Sequence, residues 1–369
     1  MLLWVLWIIV LMCILWIALA ALPAGREKVM PLPYMIALIP FLWVPMAVVA
    51  AIAAFSLHEW GLMCGAIATG IATQIYQSRY QGTALHAGAA KPAGRSSGQA
   101  KPDASGESAA GSVGSTESAG QSDESAAQPA RAYRLMTLNC RYGRADAKAI
   151  VAAVRAHNIT VLALQEMNDD LFSALNEAGL GRILPYSQCG AGKATDNGGY
   201  NGIYTAAEPI GRQRDAIMIP AADVPSLSLP LPGRPAGELD ADGDAPTITF
   251  AAAHTKSPMR SCRDWSNGII GLGELAERTE REDHDIMVVM GDLNGQIEHP
   301  SFRALLDRGF TDASLSLKSG AHPTFPSWLP WPRIELDHVL FTPGAKAVAV
   351  GTLAVKGTDH LALTATLEV

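Results

Sequence analysis

The chain has 369 residues, with 28 Lys and Arg against 35 Asp and Glu. Residues 1–77 are apolar and almost uncharged, residues 78–131 are rich in Ser, Gly and Ala, and only residues 132–369 read as a globular domain. That domain has 21 Lys and Arg against 28 Asp and Glu, a net charge of −7, which argues against nonspecific binding of duplex DNA, where affinity rests on neutralising phosphates.

The first segment, Leu2 to Leu22, holds about twenty uncharged apolar residues, enough to cross a bilayer. A cleaved signal peptide would need a basic start and a short apolar core, and this N-terminus has no Lys or Arg before Arg26. A second apolar run covers about 33–57, with Pro40 and Pro45 inside it, as transmembrane helices tolerate. A third, 60–76, is shorter and includes polar residues. Residues 1–77 are therefore expected to form a membrane anchor of two to three helices, about 2–22, 33–57 and 60–76. The stretch 78–131 is expected to be a disordered linker, because it has too few large apolar residues to fold alone.

Five cysteines give a weak signal on compartment. Cys13 and Cys64 fall in the apolar runs and read as packing residues, and Cys140 reads as a buried thiol. Cys189 and Cys262 lie in polar stretches; they could pair in an oxidising compartment or remain free thiols.

Asp146 to His157 has the periodicity of an amphipathic helix, with Ile150, Val151 and Val154 on its apolar face. A strand is expected at Thr160–Leu164 and a helix from Asp169 to Ala178, stopped by Gly179. The glycine cluster 190–202 leads into a strand at Gly202–Thr205. Residues 220–246, rich in Pro, Gly and Asp, read as a long surface loop. Strand Thr247–Ala253, helix Trp265–Arg281, strand Ile286–Met290 and helix Pro300–Asp307 follow. Strands are then expected at Leu336–Thr342, Ala347–Val355 and Leu361–Val369. Alternating helices and strands followed by strand-rich runs suggest two packed sheets with helices outside.

The chemistry lies where the apolar runs end. Leu135-Met136-Thr137-Leu138 runs into Asn139, Val161-Leu162-Ala163-Leu164 into Gln165-Glu166, and Phe250-Ala251-Ala252-Ala253 into His254. Ile286–Met290 runs into Gly291-Asp292-Leu293-Asn294-Gly295, and the pairs Asp337-His338 and Asp359-His360 follow. Polar residues at several strand ends gather along one edge of a sheet, where α/β enzymes place their chemistry. Carboxylates, amides and imidazoles suit a hard metal ion and a phosphate ester. Glu166 is the strongest candidate metal ligand, with Asn139 as a neutral partner. Asp292 and Asn294 are one residue apart and point the same way in an extended chain; the adjacent Asp359 and His360 point apart.

In this order, these segments resemble the endonuclease/exonuclease/phosphatase superfamily, in a membrane-anchored bacterial form, over about residues 132–369. The resemblance implies an α+β, four-layer α/β/β/α sandwich, here preceded by transmembrane helices. It implies Mg²⁺, with Mn²⁺ as a substitute, held by Glu166 and Asp359 with Asn139 beside them. It gives Asp292 the attacking water, Asn294 and His254 contacts to the phosphate and leaving group, and His360 the transition-state charge. Asp337 would hold His360 by a carboxylate–imidazole hydrogen bond, leaving His338 structural, with His338 as the working imidazole the rival reading. The stretch Gly199–Tyr204 departs from the family's usual pattern, so Asn201 and Tyr204 receive no role, nor do His58, His86, His157, His284 and His299. Trp328 and Trp331 could line a substrate rim or touch lipid headgroups, although packing of a Pro-rich loop is the commoner explanation.

The expected activity is hydrolysis of a phosphodiester or phosphomonoester by in-line attack of water, on a domain tethered to the bilayer. A nuclease acting on DNA or RNA is the alternative, and a binding module that keeps the fold without turnover is the reading from another class. The retained polar residues favour an enzyme. No protein partner is inferable. The positive-inside rule applied to Arg26 and Lys28 would leave the domain in the cytoplasm. The Ser/Gly tether and the habit of three-span relatives point outside, so a multi-pass cell-membrane protein with an extracytoplasmic domain is expected.

Overall fold

The computed structural model describes residues 1–81, 132–192, 198–231, 246–281 and 285–369. The expected linker falls almost wholly on residues 82–131, outside them. Strands β1 (Ala132–Asn139), β2 (Val161–Met167), β3 (Tyr186–Cys189), β4 (Tyr200–Thr205), β11 (Lys346–Ala354) and β12 (Leu361–Glu368) form one sheet, in the order β11-β12-β1-β2-β4-β3. Strands β5 (Gly211–Gln213), β6 (Ser226–Pro230), β7 (Thr247–His254), β8 (Ile286–Asp292), β9 (Thr311–Asp312) and β10 (Asp337–Phe341) form the other, in the order β5-β6-β7-β8-β10-β9. Both sheets are mixed: β1 and β2 run parallel, as do β7 and β8, and the remaining neighbours are antiparallel.

Side chains of a strand alternate between faces, and here each face has a partner. Leu135, Val161, Ala163 and Ile203 meet Phe250, Val288, Met290 and Val339 in the core between the sheets. Met136, Leu138, Leu162 and Leu164 face the other way, against Ile150, Val154, Leu171 and Leu175. Those last four belong to helices packed on the first sheet, Ala147–Ala156 and Asp169–Glu177. On the outer face of the second sheet, Val289 and Leu340 pack with Trp265, Ile269, Leu275 and Phe302, from helices Cys262–Gly271, Gly273–Arg281 and Pro300–Leu306. The result is four layers, helices outside two face-to-face sheets.

Local sequence sets the helix starts. Asp146 accepts hydrogen bonds from the Lys148 and Ala149 amides, Asn168 from Leu171, and Ser261 from Asp264. Each such cap contributes about 1 kcal/mol.

Several expectations need correction. Within the supposed loop 220–246, Ser226–Pro230 is β6: Leu227 and Leu229 alternate into the inter-sheet core, each only 1% exposed. Residues 232–245 lie outside the described set. The single helix expected over 265–281 is two, divided at Leu272 between Gly271 and Gly273, where low helix propensity permits a break. Strand β3 was not expected.

The N-terminal segment also differs. Among the described residues, only Leu2–Ala21 is long and apolar enough by itself to cross a membrane, with a mean hydropathy of 2.9. The expected second span is two helices, Leu32–Phe41 and Trp43–Leu57, bent by 54°. The third, Trp60–Ala72, has 13 residues, short of a bilayer's thickness. A multi-pass location is therefore not supported.

These helices pack together through Leu6, Val10, Ile36, Met46 and Leu62, and their ends dock on the sandwich. Buried Glu27 accepts from the amide and hydroxyl of Ser301, both at 2.6 Å. His299 Nε2 lies 3.0 Å from the Pro33 carbonyl, Gln296 donates to Ala37, and Arg303 donates to the Ala20 carbonyl. Tyr80, 1% exposed, joins the core beneath the second sheet, although it falls in the stretch read as linker.

Candidate active site

Register brings the polar residues together. Parallel pairing of β1 with β2 sets Asn139 beside Gln165, so Glu166 follows at the same edge. In the facing sheet, His254 of β7 pairs with Asp292 of β8, and Asp292 pairs with Asp337 of β10. Gly291, at φ +154°, lets β8 approach β7 closely: a Cβ there would lie 1.8 Å from the Ala253 carbonyl oxygen. Glu166 and Asn294 both hold left-handed backbone, at φ +55° and +49°. Such strain costs about 1 kcal/mol or more per residue and concentrates at functional sites.

Asn139 links the two sheets. Its Nδ2 donates to Asp292 Oδ2 at 2.9 Å and to Glu166 Oε1 at 3.3 Å, while its Oδ1 accepts the Arg141 amide at 2.8 Å. Glu166 Oε2 accepts the Tyr142 amide at 2.9 Å. His254 Nε2 stands 3.6 Å from Asp292 Oδ2 and 3.9 Å from Glu166 Oε1. His360 Nε2 lies 3.7 Å from the same Asp292 oxygen, and its Nδ1 is 2.7 Å from Asp337 Oδ2. All six side chains are buried.

The loop after β8 is fixed from several sides. The Asn294 amide donates to Asp292 Oδ1 at 2.8 Å, and Asn294 Nδ2 donates to the Thr255 carbonyl. Trp265 Nε1 donates to the Asn294 carbonyl. Asn294 is partly buried at the site, with its side-chain amide turned toward Thr255.

Burial alone would lower the pKa of His360. The carboxylates of Asp337 and Asp292 outweigh it and push the imidazole up to about 10, so His360 is a cation at neutral pH.

Asp292, Asp337 and His360 place potential ligand atoms within 4.8 Å of one another. Glu166 borders this group through Asn139 and His254. Asp359, read as a metal ligand, is set against Arg141 at 3.5 Å. The arrangement fits a hard cation: three buried carboxylates, Glu166, Asp292 and Asp337, face one cationic imidazole. Asp337 Oδ1 has no hydrogen-bond partner among the described residues. Uncompensated buried negative charge is costly, and a divalent ion offsets it.

His338 takes no part in this cluster. Alternation along β10 turns it to the other face, where Nδ1 is 2.9 Å from Asp312 and Nε2 donates to the Gly295 carbonyl at 2.8 Å. A second group of possible ligands, Asp312, Glu335 and His338, surrounds it. With both ring nitrogens engaged, His338 serves as the counter-ion of these acids. Burial would lower its pKa, but Asp312 and Glu335 raise it to about 9. A raised histidine pKa contributes stability that is complete below the ordinary value of about 6.5 and lost as pH rises through the raised one. The melting temperature of the wild type should therefore fall between these pH values more steeply than that of His338→Gln. Parallel curves would refute the pairing.

The expected Cys189–Cys262 bridge is absent, and both are free thiols. Cys189 is on β3, at the edge of the first sheet, whereas Cys262 opens a helix on the second sheet and donates to the Pro258 carbonyl. Asn201 and Tyr204 also have structural partners: Asn201 donates to the Asp223 carbonyl, and the Tyr204 hydroxyl meets the Met167 sulfur.

Three contributors, Arg141, Tyr142 and Phe325, had no sequence signal, while a fourth, Thr358, belongs to the Thr358-Asp359-His360 run. Arg141 pairs with Asp359, the Tyr142 amide holds Glu166, and the Thr358 hydroxyl donates to the Asn139 carbonyl at 2.6 Å. The Phe325 ring lies 5.0 Å from that of His360.

The chain belongs to the endonuclease/exonuclease/phosphatase family, whose sequence profile matches residues 136–360. Members of this family are typically hydrolases of phosphate esters and generally depend on a divalent metal. Among solved structures, the chain is similar to a family protein from Leptotrichia buccalis, at 14% identity over 64% of this chain and 100% of that one, with a TM-score of 0.48. It is similar to one from Bacteroides thetaiotaomicron, at 14% identity over 65% and 98% of the two chains and a TM-score of 0.49. It is also similar to the human Nocturnin catalytic domain with bound sulfate, at 13% identity over 64% and 94%, with a TM-score of 0.45. No curated protein sequence matches the chain.

Proposed function

We propose that the protein is a membrane-tethered, divalent-metal-dependent hydrolase of phosphate esters, with Mg²⁺ as its working ion and Mn²⁺ as a substitute. The observation that carries this is the meeting of Glu166, Asn139, Asp292, His254, Asp337 and His360, from two sheets, in one buried cluster. Glu166, Asn139 and Asp359 would hold the ion, with Asp292 and Asp337 adding to its field. When bound, the ion would supply positive charge to the phosphate oxygens and favour ionisation of water.

The chain's own groups perform the remaining work. Asp292, with both oxygens already oriented by Asn139 and Asn294, aligns the attacking water and receives its proton. His360, held by Asp337, donates Nε2–H to an oxygen that gains charge in the transition state. His254 faces the same oxygen of Asp292 and serves the leaving group, while Asn294 contacts the phosphate. Retention of every one of these groups disfavours a binding module without turnover.

Helix Leu2–Ala21 anchors the protein in the membrane, and the composition of the Ser/Gly tether supports an extracytoplasmic domain. The acidic domain favours a small ester over a nucleic acid.

Metal dependence provides the test. Purified full-length protein should hydrolyse a phosphodiester with Mg²⁺, stop on chelation and resume when Mg²⁺ or Mn²⁺ is returned. Glu166→Gln should require more metal for half-maximal rate, with an unchanged melting temperature. Full activity in excess chelator would contradict the proposal.

A further inference from the structure

We infer that the substrate is a membrane lipid, its phosphate ester brought to the site by the loop 325–334 at the bilayer surface. This rests on the hydrolase reading above and adds the substrate class.

One end of this loop belongs to the site. Phe325 lies against His360, and Trp328 stacks edge-on against Phe325 with ring centroids 5.9 Å apart. The Ser327 amide donates to the Asp359 carbonyl at 2.8 Å and its hydroxyl to the Thr358 carbonyl at 3.0 Å. The other end meets the apolar helices: Trp331 lies 5.7 Å from Phe41 and 6.5 Å from Trp43, at the start of Trp43–Ile52. Fewer than ten residues thus connect the catalytic imidazole to the apolar segment.

Helix ends locate the bilayer surface. Ala20, at the end of the first helix, meets Arg303 of the sandwich, and Trp43 packs beside Gly70 near the end of Trp60–Ala72. The first helix therefore runs away from the domain, and only 17% of its most apolar stretch is buried by protein, which suits a helix that faces lipid. Trp43 and Trp331 mark its domain end, where tryptophan is favoured at a membrane–water boundary. In the same loop Trp328, Leu329 and Trp331 remain 62%, 36% and 55% exposed, side chains suited to the headgroup layer. Beside the loop, between the helices and the sandwich, is a cavity of about 400 Å³ with aromatic walls, Phe41, Trp43 and Trp331, and polar and charged groups that include Gln74, Arg333 and Glu335. Apolar rings beside polar groups match the boundary region of an amphiphile.

Charge points the same way. A domain with a net charge of −7 repels a nucleic-acid polyanion, but a single headgroup phosphate needs only the local site. In the reaction, the water oxygen bonds to phosphorus and the bond to one ester oxygen breaks with its electron pair. The proton released by water is balanced by protonation of that leaving oxygen.

The test uses the full chain with Mg²⁺ in vesicles of phosphatidylethanolamine, phosphatidylglycerol and cardiolipin. In parallel, detergent-solubilised protein is given bis(4-nitrophenyl) phosphate and DNA. Lipid cleavage is expected. Trp328→Ala and Trp331→Ala should each lower the vesicle rate, relative to the soluble-diester rate, by about tenfold or more, as withdrawal of an exposed aromatic ring from the headgroup layer implies. Trp331→Phe should restore most of it. Cleavage of the soluble diester or DNA with intact lipids would overturn the lipid assignment and leave the hydrolase reading standing. A proportional loss of both rates in the Trp variants would overturn the loop's role. Cleavage of no ester at all would overturn both readings.

Discussion

Replacing His360 with alanine is expected to lower kcat by about 10²–10⁴-fold and to change KM far less. His360 is buried, lies 2.7 Å from Asp337 and is raised to about pKa 10, so it presents a fixed cationic N–H. Such a donor is worth most when charge develops on the phosphate, in the transition state rather than the ground state. Asp337→Asn should also reduce kcat, because the amide cannot match the carboxylate in stabilising imidazolium. The double mutant should lose little beyond His360→Ala, as members of one unit are not additive. The kcat values of the two single mutants and the double mutant decide this. Losses that multiply would mean the two act independently, and a crippling His338→Ala would mean that the other histidine is the working one.

Asp292→Asn carries the second large effect, a loss of about 10²–10⁴-fold in kcat with the fold retained. Asp292 is 1% exposed, accepts from Asn139 Nδ2 and the Asn294 amide, and lies between His254 and His360. An amide has one acceptor oxygen and no basicity at neutral pH, so it can neither satisfy both donors nor take a proton from water. Single-turnover rates together with a thermal melt provide the check. A folded variant within tenfold of the wild-type rate would remove Asp292 from the proposed role.

Much of this site was legible because a buried strand announces its own end. Asn139, Glu166, His254 and Asp292 each follow a run of residues too apolar to be surface, and pairing in register then makes them neighbours. The two-residue period also separates Asp337 from His338: one faces His360 and the other faces Asp312. What escaped depends on contacts without local pattern. Arg141 and Tyr142 reach the site through left-handed backbone at φ +48° and +57°, which neither residue type signals. Phe325 arrives from a loop far along the chain. Asp359 reads as a ligand by its place beside a histidine, but its pairing with Arg141 had no signal in the sequence. The Cys189–Cys262 bridge failed for a similar reason: shared polarity of two segments says nothing of distance, and one thiol is on an edge strand of the first sheet while the other opens a helix packed on the second. Hydropathy found the apolar helices but not the 54° bend that divides the second, or the burial of Tyr80 in the sandwich.

The most direct measurement is hydrolysis of a phosphodiester in oxygen-18 water by the full-length protein, with Mg²⁺ and after chelation. The expected result is one labelled oxygen in the phosphate product, none in the alcohol, and no product once the metal is removed. Label in the alcohol, or an undiminished rate without metal, would contradict metal-dependent attack of water on phosphorus at this site.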